Sequence, residues 1–162
     1  MVYRYEYAIC ALLLQSIITY RFFSKRRFPN IQNRLFELIL IIGILDIAMD
    51  IASSLMIQNA LLWPVWLTYV VNTTFYTIQV FYLMFLVLYT TSVINNYKMK
   101  NKTAHMLALP GVAFELLLLT NVFHKTIFFV DPIIGYVHNT GFYVLYLSAI
   151  YYIFVALYFL TK

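Results

Sequence analysis

The sequence predicts an all-α polytopic membrane helix bundle with five transmembrane helices, the N-terminus outside and the C-terminus inside. Three observations carry that expectation. The chain of 162 residues is 64% hydrophobic and 10% charged, whereas a soluble domain carries about a quarter charged residues. Its mean hydropathy is +0.82, so polar groups could not cover a surface in water and lipid is the expected solvent. Finally, the apolar residues fall in five long runs whose connections alternate between basic and uncharged or balanced.

The runs are Tyr5 to Phe23, Leu35 to Ile57, Val65 to Ile94, Thr103 to Asn121 and Gly141 to Leu160, spanning 5-23, 35-57, 65-94, 103-121 and 141-160. Each is near or above the roughly 20 residues that cross about 30 Å of hydrocarbon as a helix. Strict alternation over strands of about ten residues, the mark of a membrane β-barrel, is absent. All five belong to one membrane domain, 1-162, with no soluble domain.

The first run is expected to be a retained helix and not a signal peptide, because Glu6 stands beside Arg4 and no A-x-A-like site follows. The second contains Asp46 and Asp50. The third is the longest and must tilt or run past the bilayer, and Trp63-Pro64 suits its start. Pro110 inside the fourth should kink it or cost a hydrogen bond.

Orientation follows from the connections, since short loops rich in Lys and Arg stay in the cytoplasm. The first, "RFFSKRRFPNIQNR", carries Arg21, Lys25, Arg26, Arg27 and Arg34, and the third, "NNYKMKNK", carries Lys98, Lys100 and Lys102. The second, "QNALLWP", is uncharged, and the fourth, "VFHKTIFFVDPIIGYVHNT", balances Lys125 with Asp131. The net charge of +5 thus reflects cytoplasmic loops near anionic lipid, without nucleic acid as a partner. The location expected is the cell's inner (cytoplasmic) membrane, multi-pass.

Sequence motifs for catalysis are lacking: no Gly-rich phosphate loop, H-E-x-x-H or nucleophile elbow occurs, so no enzyme activity, cofactor or metal is expected in this chain. Cys10 is the sole cysteine, which removes a disulfide framework and any C-x-x-C site. His124, Asp131 and His138 share one loop and read as plain surface residues. Tyr and Phe near the predicted interfaces, with Trp63 and Trp66, read as an anchoring belt.

The candidate site lies in depth. Positions three and four apart share a helix face, so Gly43, Asp46, Asp50, Ser53 and Ser54 form one small, polar stripe. Counted at about 1.5 Å per residue from the outer end, Asp50 lies roughly 10 Å deep and Asp46 roughly 16 Å. Asn72, Glu115 and Ser148 fall near 10 Å, Gln15 near 15 Å and Gln79 near 20 Å by the same approximate count. Ser, Asn and Gln commonly join transmembrane helices by hydrogen bonds. Carboxylates are costlier, at least about 2.5 kcal/mol for a charge near the bilayer centre, and no Lys, Arg or His is predicted beside Asp46, Asp50 or Glu115. At least one of the three is expected to be neutral, because burial and like-charge neighbours both oppose ionisation. Asp46, Asp50, Asn72 and Glu115 are therefore the candidate ligand or ion site.

Such a layer suits a receptor pocket open to the outside, contacting a small cationic or hydroxyl-bearing ligand, or an ion pathway in a small ion-coupled transporter or channel subunit. A third reading makes the layer structural glue. Five helices with N-out and C-in cannot divide into equal inverted halves, and no internal repeat is visible, which favours the receptor.

The order of "KRRFPNIQNRLFELIL", "LDIAMDIASS", "WLTYVVNTTFYTIQVFYLMFLVLYT" and "FFVDPIIGYVHNTGFYVLYLSAIYY" resembles the N-terminal membrane region of bacterial signalling proteins of the GGDEF type, over roughly residues 21 to 160. In that family a seven-helix sensor region precedes a cytoplasmic diguanylate cyclase or another output module. The resemblance implies a truncated sensor, since the chain stops after its fifth helix. It departs from the family at Val137-His138-Asn139-Thr140-Gly141, where an Arg-Gly-Pro-like turn would stand. The function so implied is the sensory input region of a signal-transduction protein lacking its output domain. Lys98 and Lys100, at the cytoplasmic end of the third helix, are the candidate relay. The partners of this reading are the lipid bilayer, a small extracellular ligand and a second copy of the chain as a homodimer.

Overall fold

A computed structural model describes residues 6–25, 30–94, 101–131 and 133–160. Five helices dominate: α1 (Glu6–Phe23), α2 (Ile31–Gln58), α3 (Val65–Ile94), α4 (Asn101–His124) and α5 (Tyr143–Leu160). The fold is all-α apart from a hairpin of β1 (Phe128–Asp131) and β2 (Gly135–His138), followed by a 3-10 turn at Thr140–Phe142. Lys98 and Lys100 lie outside the described residues. Three stretches are long and apolar enough to cross a membrane by length and composition: Val65–Ile94, Met106–His124 and Thr140–Tyr158.

The distribution of side chains is inverted relative to a protein folded in water. Phe123, Leu119 and Leu109 on α4 are exposed, as are Leu147 and Phe154 on α5. Meanwhile Asn72, Thr91 and Asn121 are fully buried and hydrogen-bonded. Apolar groups outside and hydrogen-bonded polar groups inside are what a hydrocarbon solvent selects, because it removes the drive to hide aliphatic surface and penalises every unpaired polar group.

Helix α3 is the axis of the bundle, packing against α2, α4 and α5, while α1 packs on α2 alone to comparable extent. Of α1, Phe22 is buried; its ring meets Phe36 at 5.0 Å, and Phe36 in turn meets Tyr89 of α3 at 5.4 Å. One apolar cluster, at the hairpin end, joins Tyr76, Val80, Phe114, Leu118, Phe128 and Leu145. A smaller one at the other end joins Val87, Leu107 and Tyr152.

Local signals set the helix ends. Asn30 caps α2, its side chain accepting from the Asn33 backbone N–H at 2.7 Å, so α2 starts before the expected Leu35. Lys125 takes a left-handed conformation (φ 51°) and its N–H returns to the Asn121 carbonyl at 2.7 Å, which closes α4 as an αL cap does.

Pro110 leaves α4 unbroken, and α5 supplies the reason. A proline deprives the carbonyl four residues earlier of its donor; that carbonyl, Met106 O, accepts from the Tyr151 hydroxyl at 3.2 Å. The next N–H, from Gly111, donates to the Tyr152 hydroxyl at 3.1 Å. Gly111 is required there, because a Cβ would sit 2.8 Å from that hydroxyl oxygen. Two adjacent tyrosines thus restore polar pairing around the proline.

The hairpin was not anticipated from the sequence, which reads there as a connection. Its strands are antiparallel, pairing Phe128 with His138 and Asp131 with Gly135. Asp131 Oδ1 accepts from the N–H groups of Ile133 (2.7 Å) and Ile134 (2.9 Å), an Asx-type turn, and Gly135 supplies the positive φ of 86° that ends it. Those two N–H donors hold the Asp131 pKa below its ordinary value. Buried Asn121 pins the base: Oδ1 accepts from Ile127 N–H at 2.7 Å and Nδ2 donates to Phe128 O at 3.0 Å. The hairpin therefore folds back onto the ends of α3, α4 and α5.

Candidate functional site

The polar stripe on α2 turns inward, with Gly43, Ser53 and Ser54 buried and Asp46 and Asp50 half-buried. Beneath the hairpin, this stripe meets α3 and the start of α5 around a cavity of about 160 Å³. Asp50, Ser53 and Ile57 line it from α2, while α3 contributes Phe75, Tyr76 and Gln79. Phe142, Leu145 and Tyr146 complete the wall. The α2 residues stand at i, i+3 and i+7, and Gln79 of α3 stands three and four residues after Tyr76 and Phe75, the spacings that share a helical face.

The aromatic wall is continuous. Phe75 and Tyr76 have ring centroids 5.3 Å apart, Tyr76 and Phe142 are 5.7 Å apart, and Phe142 meets Tyr146 edge to face at 5.1 Å. The Tyr76 and Tyr136 hydroxyls lie 2.8 Å apart, which ties the cavity wall to β2. A second hollow, about 400 Å³ and lined by His138, Asn139, Thr140 and Tyr143, shares Phe142 and Tyr146 with the cavity. Burial between rings lowers the His138 pKa from its ordinary value, which favours the neutral imidazole at the base of the hairpin.

The four sequence candidates separate into different surroundings. Asp50 lines the cavity, and none of its lining side chains is Lys, Arg or His. Asn72, at similar depth, is closed off: Oδ1 accepts from Ser53 Oγ at 2.8 Å, Nδ2 donates to Thr68 O at 2.8 Å, and the residue is fully buried. It fastens α2 to α3. Glu115 accepts from Thr77 Oγ1 at 3.0 Å through Oε2, joining α4 to α3, while its buried Oε1 has no hydrogen-bond partner. Asp46 lies one turn from Asp50, toward Gln15 of α1 and Tyr82 of α3, both of which crowd the neighbouring Gly43; its Oδ1 is buried without a partner. Neither Asp46 nor Glu115 lines the cavity.

Gln79 joins Asp50 at the cavity although its depth by residue count differs from that of Asp50. Phe142 and Tyr146 escape notice in the sequence because Tyr and Phe near a helix start carry the same signature as an interfacial belt. The signal was available as the pairs Tyr76/Gln79 and Phe142/Leu145, each three residues apart as Asp50 and Ser53 are. Among the described residues, no group of three or more His, Cys, Asp or Glu could hold a metal ion, and Asp131 and His138 stand at opposite ends of the hairpin. Comparison with protein-family models, curated proteins and solved structures finds no match to this chain.

Proposed function

We propose that this chain is the sensory input region of a bacterial signal-transduction protein, spanning the inner membrane five times with the N-terminus outside, and reading a small extracellular ligand at Asp50. The observation that carries the proposal is the cavity, which joins a carboxylate of α2 to faces of α3 and α5 at the hairpin end. A ligand seated there touches three helices at once and so biases their relative positions, which is the requirement for a binding event to be felt elsewhere. Helix α3, packed against α2, α4 and α5, is the natural conductor, and the basic segment with Lys98 and Lys100 follows its end.

The alternating charge of the connections supports the orientation, placing the hairpin outside. Alkaline phosphatase fused after Asn59 or Asp131 is expected to be active, and after Arg27 or Lys100 inactive; activity at Lys100 would overturn five spans. Function is tested by reconstituting the chain in vesicles with an internal pH dye and an imposed sodium gradient. The sensory reading predicts proton and sodium leakage equal to empty vesicles. Flux that disappears with Asp50→Asn would replace the sensor with a small ion-coupled transporter or channel subunit.

A further inference from the structure

We propose that the Asp50 cavity binds a small monovalent organic ammonium ion, with Asp50 as its counter-ion and the rings of Phe75, Tyr76, Phe142 and Tyr146 as its cage. The proposal rests on the sensory reading only for its biological consequence; the chemistry stands on the site itself.

Charge comes first. Asp50 has no ion pair or side-chain hydrogen bond among the described residues, and no basic side chain lines the cavity. A carboxylate drawn into a helix bundle without a partner is unfavourable, and a cation brought by the ligand supplies that partner. The wall then decides what kind of cation. Inorganic ions require a shell of oxygens on several sides to replace their water, whereas six of the nine residues that line the cavity, Ile57, Phe75, Tyr76, Phe142, Leu145 and Tyr146, are aliphatic or aromatic. What the wall offers instead is the four aromatic rings of Phe75, Tyr76, Phe142 and Tyr146, and aromatic rings attract ammonium groups through the ring quadrupole.

Volume sets the size. A cavity of about 160 Å³ is close to the roughly 150 Å³ that accommodates benzene, so the ligand has about six or seven non-hydrogen atoms. The Gln79 amide supplies hydrogen-bonding capacity for one polar substituent. The adjoining hollow bounded by His138 and Asn139 meets the cavity at Phe142 and Tyr146, which marks that pair as the boundary a ligand passes on entry.

The test is calorimetric titration of the full chain in lipid nanodiscs with three probes: choline, a primary amine of similar size, and the uncharged isostere of choline in which carbon replaces nitrogen. The proposal predicts that at least one of the two cations binds at least tenfold more tightly than the isostere. Asp50→Asn is expected to remove that preference, and Phe142→Leu to weaken the cation several-fold while the melting temperature stays within a few degrees. Equal binding of cation and isostere would overturn the proposal, as would displacement of choline by an equal concentration of sodium or potassium, or no binding by any probe. Preference of choline over the primary amine would assign a methylated nitrogen, and the reverse a protonated one. Cation binding together with Asp50-dependent ion flux would keep this inference and remove the sensory reading. Absence of binding with a signalling output that still depends on Asp50 would do the opposite.

Discussion

Asp50 and Asn72 lie at similar depth on adjacent helices, yet one opens onto a cavity and the other is sealed. Ser53 separates their environments: it faces the cavity on one side and donates its hydroxyl to Asn72 on the other. Asn72 uses its side-chain oxygen on α2 and its nitrogen on its own helix, so its hydrogen bonding is spent holding the bundle together. Asp50 has no such partner among the described residues. In a membrane bundle, then, depth does not separate binding from structure; what separates them is whether a polar group's partners are already supplied by the protein.

The largest effect should come from breaking the open side. Asp50→Asn keeps the shape of the side chain but removes its charge, and ammonium affinity should fall at least tenfold, read by titration, with membrane abundance unchanged. Breaking the sealed side should do the reverse. Asn72→Ala deletes a bridge between two helices and leaves the Ser53 hydroxyl without its acceptor, costing about 1–2 kcal/mol of stability; reversible unfolding in mixed micelles would show a lower midpoint.

A smaller effect is expected at Asp46, which has the same side chain as Asp50 but no cavity. Asp46→Asn retains hydrogen-bonding capacity and should leave both affinity and midpoint nearly unchanged. A loss of affinity there equal to that of Asp50→Asn would erase the distinction between the two carboxyls. The smallest effect belongs to the hairpin turn. Because Ile133 and Ile134 N–H groups depress the Asp131 pKa in the folded protein, its contribution is fully present above the unfolded value and fades as the pH falls through the folded one. Asp131→Ala should slightly lower the melting temperature near neutral pH, and the difference from wild type should vanish in strong acid.

The all-α fold could be read from the sequence because apolar length and helix-breaking connections are properties of single segments. The hairpin could not, since "FFVD" and "GYVH" are four-residue strands, too short to show a period; the turn signal was Asp131 followed by Gly135. Asp50 was legible because a carboxylate inside an apolar helical run is costly to bury wherever it sits. Its companions were not, since counting along a helix gives depth but not direction: Asn72 and Glu115 share the level of Asp50 yet turn to Ser53 and Thr77. The role of Tyr151 and Tyr152 in repairing the backbone at Pro110 was hidden for the same reason, as it depends on which helices become neighbours.

The claim that Asp50 faces an open cavity and Asn72 a closed one is tested most directly by cysteine labelling from outside intact cells. The exposed Cys10 is first replaced by serine, and Asp50→Cys and Asn72→Cys are each treated with a membrane-impermeant trimethylammonium thiosulfonate, with membrane abundance checked. The account predicts that Asp50→Cys is modified and that Asn72→Cys is not modified. Equal reactivity at both positions, or none at Asp50→Cys, would contradict it.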